Sequence, residues 1–522
     1  MGSQNHHQLH IFFLPFIAPG HMIPMIDIAR LFATRPGIKV TIIITTHNSL
    51  LFNNSIDRDI ISGHQIQLHI LKFPSSQVGL PEGIENFNSV TSPDMAPKLY
   101  QAISILQQSI EQLLRENHPD CIISDMFYPW TADLAKEIGC PRLVFQGTSF
   151  FSLSVMESIR CHKPHDTVSA ETETFILPGL PDKIHMTRSQ LPDHVRTRNS
   201  YSKLMDVIKE SELRSYGVIV NSFYELEPSY ADHYRNFMGR KAWQIGPVSL
   251  CIKREEKVEK HDCLSWLDSM KPNSVLYISF GSLSRFPKAQ LAEIASGLEA
   301  SGHPFIWVVR ERGKPSEEED DQRRWLKEDM TKGMIIRGWA PQVAILEHPA
   351  IGGFVTHCGW NSVLESVAAG VPMIAWPLYA EQFYNEKFVT EVMKIGVRVG
   401  VQEWNSLMEE GKVPVKKERV KEVVSQLMDG GDEGKEMRKR AKELGEMAKR
   451  VVEEGGSSNA NYTYDRRRER PGCFNISSKS VMFRLQVGIA WPAALPFFCT
   501  WWVPGNITMT SLAYSERLQH YQ

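Results

Sequence analysis

The chain has no Cys-X-X-Cys pair; its 8 cysteines are scattered over 522 residues. Isolated cysteines at apolar positions behave as small buried hydrophobes, so neither a disulfide framework nor a zinc site is expected and a reducing, cytoplasmic setting is. It has no basic excess, with a formal net charge of −2, which speaks against nucleic acid or an anionic membrane as partner. No Gly-X-Gly-X-X-Gly opens a helix after an expected strand. The first β-α turn reads Ala18-Pro19-Gly20-His21-Met22-Ile23, so a dinucleotide oxidoreductase is disfavoured. No Asp-X-Asp follows a strand, where it would hold Mg²⁺ against a diphosphate. His348, His357 and Cys358 fit no zinc spacing, and no metal or cofactor is expected. No Lys or Arg precedes the short apolar run Leu9–Phe16, which argues against a secretory signal. The apolar stretch Val487–Gly505 approaches a membrane span in length, but Pro492, Pro496 and Pro504 break it, so no integral membrane segment is expected.

What is present is an alternation of strand and helix patterns, with 42% hydrophobic residues, too long for one core. Leu9–Phe16 reads as a buried parallel strand and Met22–Ala33 as a helix. Val40–Ile44, Leu68–Phe73, Cys121–Ser124, Arg142–Phe145 and Gly217–Asn221 continue as strands, with helices at Met95–Arg115, Trp130–Ile138 and Tyr201–Ser215. Ile252–Asp262 is a charged run with little to bury and is read as an interdomain linker. The alternation then restarts with strands at Ser274–Phe280, Phe305–Arg310, Gly333–Gly338, Ile351–Thr356 and Val371–Ala375. Helices are expected at Pro287–Ser301, Gln342–Glu347, Asn361–Ala369, Ala380–Phe388, Val415–Met428 and Glu433–Val452. The expected layout is an N-terminal Rossmann-like domain over residues 1–251, the linker 252–262, a second Rossmann-like domain over 263–461, and an atypical tail over 462–522.

The chemistry concentrates in Trp339–Gln382. Gly359-Trp360-Asn361-Ser362 follows a strand and opens a helix, where unpaired backbone N–H groups and the helix dipole suit a diphosphate. Asn361, Ser362 and the preceding His357 can add donors; the bland reading of the two former is N-capping. Trp339 offers an indole to stack on a base, against a simple role in core packing. Glu365 lies one helical turn beyond Asn361 on the same face, where a carboxylate can accept from ribose hydroxyls. Glu381 and Gln382 follow a strand and turn, where an acceptor and an amide can read sugar hydroxyls. In the N-terminal half, His21 sits in the loop after the first strand, where open α/β sheets place ligands. Asp125 lies just beyond Cys121–Ser124, at the same carboxyl edge. Alone, each would be an ordinary structural residue; together they form a general base and its orienting carboxylate.

With those residues named, Trp339–Gln382 resembles the signature of the plant family-1 UDP-glycosyltransferases, at WAPQ, HCGWNS, a Glu and a final EQ. The likeness extends to GHMIPMIDIARLFA around His21, SDMFYPW at Asp125, LPGLPD, NSFYELE, IGPVSL, WLDS and VLYISFGSLSRF, covering about residues 8–461. The resemblance implies a GT-B fold of the α/β class: two Rossmann-like doubly wound domains facing across a cleft, acceptor in the first and donor in the second. It implies His21 as base and Asp125 as its charge partner. It assigns Trp339 to uracil stacking, and Ala340 and Gln342 to the base and ribose. Glu365 goes to the ribose, and Ser282, His357, Asn361 and Ser362 to the diphosphate. Trp360, Glu381 and Gln382 go to the sugar. Many members carry Asp where this chain has Glu381.

The implied reaction is an inverting, metal-independent transfer of glucose from the co-substrate UDP-glucose to a hydroxyl or carboxyl of a small hydrophobic plant metabolite. The pattern points first to a triterpenoid sapogenin, then to a flavonoid or isoflavonoid. A monomer is expected. After Asn461 the text departs from the family, as intron read-through or a frameshift would make it. An inactive UDP-sugar-binding protein is therefore the alternative of another class.

Overall fold

A computed structural model describes residues 8–92, 94–252, 261–284, 286–309, 332–405 and 414–462. Most of the charged linker, the acidic run Ser316–Arg324 and the tail with its Val487–Gly505 stretch lie outside these residues. No described helix is long and apolar enough to cross a membrane.

The strands, in chain order, are β1 (Leu9–Leu14), β2 (Ile38–Thr45), β3 (Ile66–Leu71), β4 (Cys121–Asp125) and β5 (Arg142–Gln146). They continue with β6 (Thr174–Ile176), β7 (His185–Thr187), β8 (Gly217–Val220), β9 (Ala242–Gln244) and β10 (Val275–Ser279). The set ends with β11 (Phe305–Val309), β12 (Gly333–Arg337), β13 (Ile351–Thr356), β14 (Met373–Ala375) and β15 (Gly396–Arg398). Seven form one parallel sheet in the order β3-β2-β1-β4-β5-β8-β9, and six form a second in the order β12-β11-β10-β13-β14-β15. β6 and β7 make a small antiparallel hairpin. The central strands are buried on both faces, which is why they read as continuous apolar runs. Each sheet reverses its winding once, between β1 and β4 and between β10 and β13. Those reversals open the crevices in which doubly wound sheets hold ligands. The architecture expected from sequence, two Rossmann-like halves, is the one found.

Several boundaries differ, for physical reasons. β1 stops at Leu14 because Pro15 has no N–H to give a ladder. The following helix, Pro19–Ala33, begins earlier than expected, with Pro19 in its first turn, where a missing N–H costs nothing. His21 therefore lies in the first turn of a helix rather than in a loop before one. Asp125 is the last residue of β4 rather than a residue beyond it. Trp339 stands in a loop, two residues past the end of β12. Asp262, assigned to the linker, opens the helix Asp262–Asp268.

The helix Phe150–His162 was not foreseen. Residues 150–159 are buried or half-buried, serines included, and its exposed residues are gathered at its C-terminal end, so it shows no clear 3.6-residue stripe. It packs against the second lobe: Phe151 stacks on Phe388 at 4.9 Å between ring centroids, and Ser152 donates from Oγ to Asn385 Oδ1 at 2.7 Å. The Trp360 indole N–H donates to the carbonyl of Asn221 at 2.7 Å, a second tie between the lobes. The long helix Asp432–Val452 is followed by the short helix Ser457–Tyr462, which returns to the first lobe. There Ser458 Oγ donates to Gly246 O at 2.6 Å and Asn461 Nδ2 to Gln244 O at 2.7 Å, at the edge strand β9.

Candidate active site

At the crevice of the first sheet, His21 Nδ1 lies 2.8 Å from Asp125 Oδ2. The carboxylate is fully buried, and its other oxygen accepts from the Phe127 N–H at 3.0 Å. With Nδ1–H committed to a carboxylate, the lone pair of the neutral ring is on Nε2, the form a general base needs. Burial works against a charge on His21, but the charge and hydrogen bond of Asp125, helped by Glu381 from the opposite lobe, raise its pKa above the usual 6.5. Behind the pair, the buried guanidinium of Arg142 donates to Ser124 Oγ and Ser215 Oγ at 2.8 Å each, placing a cation within the field of Asp125.

Aromatic rings surround the imidazole. Phe16 and Phe127 present ring edges to His21 at 5.8 and 5.5 Å, and Phe87 stacks on Phe16 at 5.3 Å. Tyr100 lies 5.1 Å from Phe87. Phe87, Tyr100 and Phe127 are only partly buried, so the wall beside the base is apolar and accessible.

The second crevice is built around the helix Trp360–Ala369. Its N-cap is Gly359, and no side chain caps it. The capping reading of Asn361 and Ser362 thus fails, and their side chains serve elsewhere. Ser362 Oγ accepts from Gln342 Nε2 at 3.1 Å, and the same amide donates to Glu365 Oε2 at 2.7 Å. Gln342 is itself held by the Tyr277 hydroxyl at 3.3 Å. Ala340, next to it, packs against the core of the lobe. Trp339 is 72% exposed, a flat apolar plate facing solvent.

His357 is wedged between two glycines. A Cβ on Gly281 would come within 2.5 Å of its ring, and one on Gly359 would overlap Nε2. Burial pushes its pKa down to about 4, so the ring is neutral, and its buried Nδ1 has no partner among the described residues. Ser282 follows Gly281 in the turn after β10.

Glu381 is the N-cap of the helix Gln382–Lys387. Burial raises its pKa, against the opposing pull of its own N–H, of His21, of the Trp360 N–H and of the Asn385 amide. Gln382 accepts with Oε1 from the N–H groups of Leu378 and Tyr379 at 2.9 and 3.0 Å. Its oxygen is thereby committed, and what remains for a ligand is the NH₂, so the two-way amide expected from sequence is a donor only. The Trp360 ring is buried with its indole N–H on Asn221, and its backbone N–H is bonded to Glu381, so Trp360 supports the site through that carboxylate.

The two crevices meet. Asn361 Nδ2 donates across the cleft to the carbonyl of Gly20 at 2.7 Å, one residue before His21. His21 and Glu381, from opposite lobes, feel each other's charge. Of the residues singled out from sequence, His21, Asp125, His357, Trp360, Asn361 and Glu381 share one cleft. Gln342, Ser362 and Glu365 form one hydrogen-bonded group on a face of the helix Trp360–Ala369. Sequence reasoning missed Asn385, Ser152 and the aromatic wall. Only Asn385 left a signal, four residues after Glu381 and so on one helical face with it.

Residues 245–411 match the family model described as UDP-glucoronosyl and UDP-glucosyl transferase. The UDP-glucose flavonoid 3-O-glucosyltransferase 7 of Fragaria ananassa is 49% identical, over 88% of this chain and 95% of that protein. The chain belongs to the plant family-1 UDP-glycosyltransferases. The soyasapogenol B glucuronide galactosyltransferase of Glycine max, another UDP-glycosyltransferase relative, is 48% identical over 87% of this chain and 94% of its own. Among solved structures, Glycyrrhiza uralensis UGT73P12 complexed with glycyrrhetinic acid 3-O-monoglucuronide superposes with a TM-score of 0.81. That match has 48% identity over 86% of this chain and 93% of the other. The two facing sheets are therefore the GT-B fold of the family, and the protein is a UDP-glycosyltransferase with a UDP-sugar as co-substrate.

Proposed function

We propose that the enzyme transfers glucose from UDP-glucose, with inversion, to a hydroxyl of a hydrophobic plant metabolite, a triterpenoid sapogenin first. The carrying observation is the His21–Asp125 pair, 2.8 Å apart, standing across the cleft from Glu381 and from the uncapped helix at Gly359. The acceptor lies on the Phe16–Phe87–Phe127 wall with its hydroxyl at His21 Nε2. His21 takes the hydroxyl proton as the oxygen attacks the anomeric carbon. The bond from that carbon to the UDP oxygen breaks, and Asp125 stabilises the imidazolium. The departing diphosphate is met by the helix N-terminal N–H groups, Ser282, Asn361, Ser362 and neutral His357, without need of a metal. Trp339 stacks on uracil, Gln342 and Glu365 hold the ribose, and Glu381, steadied by the Trp360 N–H, and Gln382 read the sugar.

The acceptor class is supported by the wide apolar wall and by the sapogenol and glycyrrhetinic compounds named for two relatives. A flavonoid acceptor is the second reading, supported by the Fragaria enzyme. A panel of triterpenoid and flavonoid aglycones with UDP-glucose, UDP-galactose and UDP-glucuronate, read by product mass, tests both. A hexosyl product on a triterpenoid with UDP-glucose is expected; a product only with UDP-galactose or UDP-glucuronate would overturn the choice of sugar.

A further inference from the structure

Asn385 is completely buried, and both ends of its amide are in use. Its Nδ2 donates to the carbonyl of Cys358 at 2.8 Å and to Glu381 Oε1 at 3.3 Å. Its Oδ1 accepts from the hydroxyl of Ser152 at 2.7 Å, on the helix Phe150–His162 of the other lobe. Cys358 sits in the turn between β13 and the donor helix and has a positive φ of 65°, a conformation that non-glycine residues rarely adopt. One amide thus fastens the turn that aims the donor helix, a carboxylate facing the cleft, and a hydroxyl from the opposite lobe. The Cys358 carbonyl can only accept, so it fixes which end of the amide is nitrogen.

We propose that Asn385 is a positioning residue for the sugar end of the donor, holding Glu381 in place, and that Ser152 makes this hold depend on contact with the N-terminal lobe. The inference rests on the proposed role of Glu381 in reading the sugar. Glu381 projects from the first turn of a short helix and its carboxylate has few other anchors: its own N–H, the Trp360 N–H and this amide. Withdrawing the amide frees the carboxylate to turn away. Separating the lobes removes the Ser152 hydroxyl, so the Asn385 oxygen loses its fixed donor and the amide is no longer pinned at that end. Donor sugar recognition is then complete only when the lobes are together, which is when His21 and the acceptor are also in reach.

The test separates sugar from nucleotide. Wild-type, Asn385→Asp and Ser152→Ala full-length proteins are titrated calorimetrically with UDP-glucose and with UDP. Asn385→Asp keeps size and shape but points an acceptor at the Cys358 carbonyl and at Glu381. Ser152→Ala removes one hydroxyl and serves if the first variant does not fold. The expected result is a loss of about tenfold or more in UDP-glucose affinity for Asn385→Asp. A smaller loss in the same direction is expected for Ser152→Ala, with UDP affinity within about twofold of wild type in that variant and lowered clearly less than UDP-glucose affinity in Asn385→Asp. UDP and UDP-glucose weakened in parallel would show a merely structural role and overturn the proposal, as would unchanged UDP-glucose affinity in both variants. Unchanged affinity in Ser152→Ala alone would overturn the dependence on the other lobe. A wild-type protein that binds UDP and gains nothing from the glucose would instead sink the glucose reading, and this inference with it.

Discussion

Asp125 holds His21 with one oxygen, 2.8 Å from Nδ1, and spends the other on the N–H of Phe127, so the carboxylate has no freedom to turn. The two residues are 104 positions apart in the chain, and the parallel pairing of β1 with β4 brings them together. A base so held is fixed in tautomer and in direction. His21→Ala is therefore expected to lower kcat by about 10²–10⁴-fold, the range of a lost general base. UDP binding should stay near wild type, because the proposed nucleotide site lies in the other lobe. Single-turnover assays beside UDP titration check this, and a large fall in UDP affinity would contradict the role.

The pH dependence has a definite sign. Burial alone would lower the His21 pKa; the Asp125 charge, the Asp125 hydrogen bond and the Glu381 charge turn the balance upward. Transfer needs the neutral ring, so kcat/KM should fall as pH drops through a pKa above 6.5. In Asp125→Asn the two contributions of the carboxylate disappear and burial remains. The acid limb should move to lower pH while the rate at its plateau falls, because the imidazolium formed in the transition state has lost its counter-charge. An acid limb that does not move would mean that another group titrates.

Gly281 and Gly37 both have positive φ, at 76° and 82°, yet only Gly281 faces a functional ring. Adding a methyl at Gly37 meets nothing within 4 Å, so Gly37→Ala measures backbone strain alone, about 1–2 kcal/mol. Gly281→Ala adds a clash at 2.5 Å with the His357 ring, which sits close to Gly359 on its other side. It should cost about 1–3 kcal/mol more in stability and raise the KM for UDP-glucose, which Gly37→Ala should not do. Thermal unfolding and donor KM measured on both variants decide the matter; equal donor KM values would mean that His357 is not part of the donor site.

The layout of the proposed donor window was legible because it is local in sequence. His357, Asn361, Ser362 and Glu365 occupy a single strand-turn-helix, so periodicity alone places them. The alternation of β and α patterns made the two sheets legible for the same reason. What escaped was set by contacts distant in sequence. The Asn361 amide meets Gly20 across 341 positions, and Ser152 meets Asn385 across 233; no spacing rule reaches that far. The helix Phe150–His162 was hidden because most of its length is buried and its exposed residues gather at its C-terminal end rather than along one face. The three-residue strands β9 and β15 are too short to show an alternation. Trp360 shows the limit in another way: its motif implies a sugar contact, while packing assigns the indole to Asn221 and the backbone N–H to Glu381.

The C-terminal departure from the family carries the last prediction. The helix Ser457–Tyr462 is already seated on the first lobe. Ser458 and Asn461 donate to the carbonyls of Gly246 and Gln244, and Ser457 Oγ donates to Glu225 Oε2 at 2.8 Å. Buried hydrogen bonds contribute about 0.5–1.5 kcal/mol each, so this seat holds the lobes together by a few kcal/mol at most. A chain ending at Tyr462 keeps the whole seat, whereas one ending at Glu454 loses it. The first should match or exceed the full chain in UDP-glucose turnover. The second should turn over more slowly, with its largest loss at low acceptor concentration, where domain closure has least help from ligand. Steady-state rates for the three lengths check this. A full chain that is inactive beside an active chain ending at Tyr462 would show that residues 463–522 block the enzyme. Equal activity for the chain ending at Glu454 would show that closure rests on the other contacts between the lobes, Phe151–Phe388, Ser152–Asn385, Trp360–Asn221 and Asn361–Gly20.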